Sequence, residues 1–207
     1  MKSKSLALVL AALGASIAHA DLVMVNETSI GGAKSTTTLS IRGDKVRTDN
    51  GTQASVIMDT KTGEMTTLMH DQKMVVKMSA ADLKAAAATL GDKSAAGGLE
   101  PKITATGTKE KVQGYECEIY TMEALGMTTK LWVAKDYPGY EKLKKELSVL
   151  ERLASPGAKQ PPVPGIALKT EFEQQGMKFP TSLVSLKEQP VDESIFAVPS
   201  GYKAPGG

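Results

Sequence analysis

Cysteine and histidine are almost absent from this sequence. Its 207 residues include one cysteine, Cys117, and two histidines, His19 and His70. A structural zinc site takes about four Cys or His ligands, and an internal disulfide takes two cysteines. Beyond the N-terminal segment, a Ser-His-Asp triad could be built on His70 alone. We therefore expect a fold that rests on packing, without a zinc site or a cofactor.

Aromatic residues and net charge are also scarce. Phe, Trp and Tyr make up 4% of the residues, and 25 Lys and Arg face 23 Asp and Glu. Nucleic acid binding is typically marked by clustered basic residues, so no nucleic acid partner is expected. Residues 91–98 are rich in glycine but lack the preceding strand and the Lys-Ser/Thr ending of a phosphate-binding loop. Because no catalytic constellation emerges, the sequence predicts a protein that is not an enzyme.

The sequence holds one apolar run, and the run is too short to span a bilayer. It covers residues 6–17, whereas a transmembrane helix takes about 20 residues. Two lysines precede it and the small-x-small pattern "AHA" follows it, which is typical of a secretory signal peptide. We expect a leader over residues 1–20, cleavage after Ala20, and a single domain over 21–207. The protein is then periplasmic or secreted, with no membrane span.

Short segments of alternating polarity fill most of the remaining sequence. Counting outward from the turn "GD" pairs Ile41 with Val46 across a two-residue hairpin. Helical periodicity predicts one helix over 79–91 and a second over 137–154, and a last strand is expected over 181–189. Consecutive hairpins interrupted by two helices indicate an α+β fold, with an antiparallel sheet and helices packed on it.

Half-buried strands also explain the single cysteine. Cys117 alternates with Tyr115 and Ile119, so all three side chains are expected on one face of a strand. A free cysteine in apolar surroundings behaves as a small hydrophobic residue. We therefore expect Cys117 to be an inert core residue.

The densest cluster of unusual residues is "MTTLMHDQKMVVKM", residues 65–78, with four methionines around one histidine. If residues 70–73 form a hairpin loop, Met69 faces Met74 and Met65 faces Met78. Residues that face each other in an antiparallel pair share one sheet face. The sequence thus predicts a ladder of methionines on one face, with His70 in the turn.

Three interpretations of this ladder remain open. Thioethers are soft ligands that suit Cu(I), and His70 could add a further ligand at one end. Methionine also fills gaps in packed cores, and it is enriched on deformable surfaces that bind varied apolar partners. Under the last interpretation, Met65, Met69, Met74 and Met78 line a binding site for a hydrophobic ligand.

The order of motifs resembles an uncharacterised family of exported bacterial domains related to the LolA/LolB-like lipoprotein-carrier fold. The segments that carry the resemblance include "LSIRGDKVRTD", "GYECEIYT", "KLWVAKD", "GIALKTEF" and "FAVPSGYK", and it covers about residues 22–203. It implies a curved antiparallel half-barrel with helices over its mouth. In the carrier relatives, the concave apolar face holds the acyl chains of lipoproteins.

Residues and resemblance together give one expectation for function. The chain is predicted to be a LolA-like half-barrel whose two helices pack on or over the concave face. It would act as an exported, non-catalytic carrier for a lipid or a lipoprotein acyl chain. One alternative is an envelope interaction module whose interior is filled by its own side chains, and another is a methionine-based copper protein.

Overall fold

The fold is built around one large, curved and open antiparallel sheet of eleven strands. The structure, a computed structural model, describes residues 21–89, 102–124, 127–154, 163–174 and 176–205. The predicted leader lies outside the described residues, as do residues 90 and 91 of the first predicted helix. The first six strands, β1 to β6, are Leu22–Ile30, Ala33–Arg42, Lys45–Asn50, Ala54–Asp59, Met65–Met69 and Met74–Met78.

The second group of strands completes the sheet from the other side of β1. Strands β7 to β11 are Lys102–Val112, Tyr115–Ala124, Met127–Ala134, Ile166–Gln174 and Met177–Glu188. Across the sheet the order is β6-β5-β4-β3-β2-β1-β11-β10-β9-β8-β7, so that β6 and β7 are its edges. The two runs of hairpins meet where the first strand pairs with the last, Leu22 opposite Glu188. The predicted pairing of Ile41 with Val46 is confirmed.

Two α-helices occur among the described residues, α1 at Ala80–Thr89 and α2 at Tyr140–Ala154. The start of α1 is fixed by a reciprocal cap. The Asp82 backbone N–H donates to the Ser79 hydroxyl at 3.1 Å, and the Ser79 backbone N–H donates to the Asp82 carboxylate at 2.9 Å. Such a pair satisfies donors that a helix N-terminus otherwise leaves free. Both helices begin close to their predicted positions.

Helix α2 packs on one face of the sheet, which we call the helix face. Its Leu143 and Val149 are buried in a cluster with Leu22, Ile41 and Val46 from β1 to β3. A second buried cluster gathers residues from β8 to β11, and Leu147 of the same helix packs against both clusters. Because it contacts strands from both hairpin runs, α2 ties the two halves of the sheet together.

On the opposite face, which we call the tail face, the C-terminal residues 189–203, the strap, cross strands β2 to β6. The strap begins where the Gln189 backbone N–H donates to the Asp21 carbonyl at 3.1 Å. It ends at Lys203, whose carbonyl accepts from the Val75 backbone N–H at 2.9 Å, on the outer edge of β6. This bridge pairs part of an otherwise open strand edge, the usual site of unwanted strand pairing.

Candidate functional site

The methionine ladder forms in the predicted register. Met65 lies opposite Met78, and Met69 lies opposite Met74. Strand β4 extends the ladder, because Met58 pairs with Met65 on its other side. Met58 was not predicted as part of the ladder, because the connection over residues 60–64 does not fix the register between β4 and β5.

The ladder belongs to the helix face. Val46, which is buried in the cluster with α2, pairs with Met58, and cross-strand partners share a face. Met58, Met65 and Met78 therefore continue the apolar surface from beneath α2 toward the sheet edge at β6. All five methionines of the ladder are half-buried. None of them belongs to a core cluster formed by the described residues.

Directly behind the ladder, the tail face holds a chain of hydrogen bonds centred on His70. The His70 Nδ1 atom lies 2.5 Å from the Tyr202 hydroxyl, and its Nε2 atom lies 2.7 Å from the Ser55 hydroxyl. The Ser55 hydroxyl donates to the Asp49 carboxylate at 2.5 Å and accepts from the Arg47 guanidinium at 2.9 Å. This network links strands β3, β4 and β5 to the strap.

The donors and acceptors of this network can be assigned from its geometry. A serine hydroxyl has one proton, and the Ser55 proton goes to Asp49, a carboxylate that only accepts. The Nε2 atom of His70 must then donate to Ser55. A serine nucleophile needs the histidine as an acceptor of its proton, and here the direction is reversed. Ser55 also has no exposed surface, and the network connects it through His70 to Tyr202 of the strap.

The same geometry separates His70 from the methionines. Its side chain lies on the tail face, the ladder lies on the helix face, and both ring nitrogens already have partners. The copper interpretation therefore loses its histidine ligand. Within the described part of the chain, no group of three or more His, Cys, Asp and Glu residues could hold a metal ion.

A shallow cleft of about 250 Å³ opens between the strap and the tail face. Thr66 and Phe196 are among the residues that line it. The charged residues around it are Lys45, Asp59, Glu64 and Lys77. Backbone N–H groups of Thr62 and Lys61 hold the pKa of Asp59 below its ordinary value. With two charges of each sign around it, the cleft offers a poor environment for an apolar chain, in contrast to the ladder.

Cys117 is buried among Trp132, Ala134, Ile166 and other core residues, as predicted. Burial raises the pKa of its thiol, so the folded state retains the proton at a pH where the unfolded chain releases it. The contribution of Cys117 to the free energy of unfolding is fully present below the unfolded thiol pKa and declines as pH rises through it.

We expect Cys117 to react with a thiol reagent at least about 100-fold more slowly in the native protein than in urea, because reaction requires opening of the core. Equal rates in the two states would contradict this.

No helix of the described residues is long and apolar enough to cross a membrane. A family model described as a domain of unknown function, DUF4412, matches residues 22–202. No curated protein matches the sequence.

Several solved structures match this chain at low similarity. PNGF-II has 14% identity and a TM-score of 0.45 over 89% of this chain, and the match spans 30% of PNGF-II, so the chain covers less than a third of that protein. The Mycobacterium tuberculosis lipoprotein LppX has 10% identity and a TM-score of 0.35, with 82% of this chain and 88% of LppX covered. A DUF1329 family protein from Desulfovibrio piger has 14% identity and a TM-score of 0.35, with 86% and 90% covered.

Proposed function

Since the chain belongs to DUF4412, a family of domains of unknown function, we infer its function from its own surfaces. We propose that it binds and carries a hydrophobic ligand in the cell envelope. The ligand is a lipid or an acyl chain, and binding involves no catalysis. The observation that carries this proposal is the ladder of five half-buried methionines on the helix face. In this proposal the sheet acts as a LolA-like half-barrel whose concave side is the helix face.

The chemistry of the ladder suits an acyl chain better than a polar ligand. Met65, Met69, Met74 and Met78 present unbranched, polarisable side chains that adapt to apolar partners of varied shape. Each buried CH₂ of an acyl chain contributes about 0.8 kcal/mol. Seven such groups would give roughly 5–6 kcal/mol before the cost of immobilising the chain. No specific hydrogen bond is required, which fits a carrier of several related lipids.

The location of α2 supports an open site at one side of the sheet. This helix fills the helix face over β1 to β3, where Leu143 is 5% exposed and Val149 is 6% exposed. The methionines of β4 to β6 lie beyond its buried cluster and keep part of their surface exposed. An acyl chain lying on the ladder would therefore extend the apolar core that α2 begins.

The packing of α2 also favours a second candidate, an interaction module without a ligand. In that case the helix is a permanent plug, and the five methionines are the margin of an ordinary core. The two candidates differ in whether the helix face has affinity for a free apolar molecule. Binding measurements distinguish them directly.

Replacing Met69 and Met74 together with threonine is expected to weaken binding of a fluorescent fatty acid by about 10–100-fold. Each substitution removes a long apolar side chain that contributes about 1.5–3 kcal/mol when fully buried, and partial contact with a ligand uses a fraction of that. Titration of the probe, monitored by fluorescence, gives the Kd. Because the two residues pair across β5 and β6 and both side chains are partly exposed, the double variant is expected to fold.

Met177→Thr is the matched control, because Met177 is 57% exposed at a hairpin end of the sheet, outside the ladder. Its Kd should equal that of the unmodified protein. The carrier proposal fails if the unmodified protein binds no probe and native mass spectrometry of protein purified from its own envelope shows no lipid. It also fails if the double variant and Met177→Thr bind equally well.

A further inference from the structure

Three hairpins that are neighbours in the sheet turn at the same end of their strands, and each carries an exposed apolar side chain there. These residues are Ile30 in the β1–β2 hairpin, Met177 in the β10–β11 hairpin and Met127 in the β8–β9 hairpin. Their exposed fractions are 48%, 57% and 39%. Large apolar residues with this much exposure number four among the described residues, and the fourth, Val184, lies within β11.

The register aligns these three ends. Thr28, Thr181, Thr170 and Leu131 form one row across β1, β11, β10 and β9. Counted from this row toward the hairpin ends, Ile30 is two residues away from Thr28. Met177 is four residues away from Thr181, and Met127 is four residues away from Leu131. At about 3.3 Å per residue and about 4.8 Å between strands, the three side chains lie within roughly 7 Å along the strands and about 15 Å across them.

Charged residues directly below two of these ends, those with Ile30 and Met177, form ion pairs. Lys34 contacts Glu27 at 2.9 Å, and Lys178 contacts Glu171 at 3.2 Å. The ends of the hairpins thus combine protruding apolar groups with a neutral layer that contains both charges. Zwitterionic lipid headgroups offer the complementary arrangement, with paired charges above an apolar interior.

We propose that Ile30, Met127 and Met177 form a docking surface for a lipid bilayer. Three partly exposed side chains supply on the order of 300 Å² of apolar surface, well below the ~800 Å² per partner of a stable protein interface. A bilayer needs no such area or shape complementarity, because apolar side chains enter its interface individually. This inference goes beyond the proposed carrier function and stands without it, since these residues lie outside the ladder.

Flotation with vesicles of phosphatidylcholine alone tests the proposal. Protein is purified after expression of the full chain, and its mass is verified so that all variants share one N-terminus. The unmodified protein should float with the vesicles, and Ile30→Ser/Met127→Ser/Met177→Ser should lower the partition coefficient at least about tenfold. Val184→Ser removes an equally exposed apolar residue away from the hairpin ends and should leave it unchanged. Absence of flotation, or equal losses in the triple variant and Val184→Ser, would overturn the proposal.

A fluorescent label gives a second readout in a folded protein with one substitution. Cys117 has no exposed surface, so a polarity-sensitive dye will attach selectively to Met177→Cys or, as the control, to Val184→Cys. Vesicles should shift the emission of the dye to the blue at position 177 and leave it unchanged at 184. A shift at neither position, or an equal shift at both, would contradict docking through the hairpin ends.

Two further outcomes identify a different occupant. Self-association in sedimentation experiments that is abolished by the triple variant would mean that a second copy of the chain covers these residues. Loss of flotation when NaCl rises from about 0.1 to 1 M would indicate binding through net charge, contrary to the neutral layer. Either result overturns the proposal.

Fatty-acid binding in solution should be the same in the triple variant, so failure of bilayer docking and failure of the carrier function are distinguishable.

Discussion

Replacing Arg47 with alanine is expected to lower the free energy of unfolding by about 3 kcal/mol. The Arg47 side chain is 15% exposed, contacts the Asp49 carboxylate at 2.7 Å and donates to the Ser55 hydroxyl. It also donates to the carbonyl of Ile195 in the strap. Its removal leaves a partly buried carboxylate without its cation and the Ile195 carbonyl without this donor. Such losses cost more than the hydrogen bonds contributed, because the remaining polar groups stay desolvated.

Arg42→Ala is the matched control for this effect. Arg42 also donates to a strap carbonyl, that of Val191, but its side chain is 42% exposed and its closest carboxylate contact is 4.0 Å long. Water can replace its interactions, so the expected loss is about 1 kcal/mol. Urea denaturation gives both values. A loss for Arg47→Ala no larger than that for Arg42→Ala would show that the network contributes little to stability.

Hydrogen exchange adds a test of where the Arg47 effect occurs. The network joins β3 to β5 with the strap, so its loss should first expose the strap, including the Lys203 N–H that donates to the Lys73 carbonyl at 3.0 Å. Local opening of a segment raises exchange there without global unfolding. A lower free energy of unfolding accelerates exchange of the most protected amides as well, so the expected signature in Arg47→Ala is a larger increase in the strap than in the core strands. An increase no larger in the strap than in the core strands would contradict a role of Arg47 in holding the strap.

The sequence was most informative where contacts are local. The pairing of Met69 with Met74 follows from a four-residue loop, and the pairing of Ile41 with Val46 follows from a two-residue turn. A hairpin fixes its own register, because the turn sets which residues face each other and the alternation sets which face is buried. The ladder was therefore predictable without knowledge of the rest of the chain.

The His70 network was beyond the reach of the same reasoning. Tyr202 and His70 are 132 positions apart, and no local pattern relates a turn residue to a C-terminal tail. The partner of the tail depends on which sheet face the chain crosses after β11. That choice is made by the complete strand order, including the pairing of β1 with β11.

Strand irregularities also escaped the sequence analysis. The last strand was expected over residues 181–189, after Pro180, whose missing N–H is unfavourable in a central strand. The strand starts at Met177 and includes Pro180, which pairs with Glu171 of β10. Pairing with β1 reaches only Thr181, so Pro180 lies beyond the end of the β1 ladder. Proline is tolerated where one neighbour is missing, and the length of that neighbour could not be deduced locally.

Replacing Gly165 with alanine is expected to destabilise the protein by about 3 kcal/mol or more. A Cβ atom at this position would lie 2.4 Å from the Ala134 carbonyl oxygen and 2.9 Å from the Val133 Cγ1 atom. Both residues belong to the buried strand β9, with exposed fractions of 1% and 0%. Neither can move aside without disturbing the pairing of Ile166 with Ala134. The clash would separate β10 from β9 at the point where these two strands begin to pair.

Gly176→Ala distinguishes this steric effect from the general cost of replacing glycine. Gly176 has a φ of 77°, and an added Cβ would meet no atom within 4 Å. Its substitution should cost about 1 kcal/mol through left-handed backbone strain alone. Thermal and urea unfolding of both variants give the comparison. If Gly165→Ala were no less stable than Gly176→Ala, the close approach of residue 165 to β9 would not be a rigid feature of the fold, and the anchoring of β10 would have to come from elsewhere in its pairing.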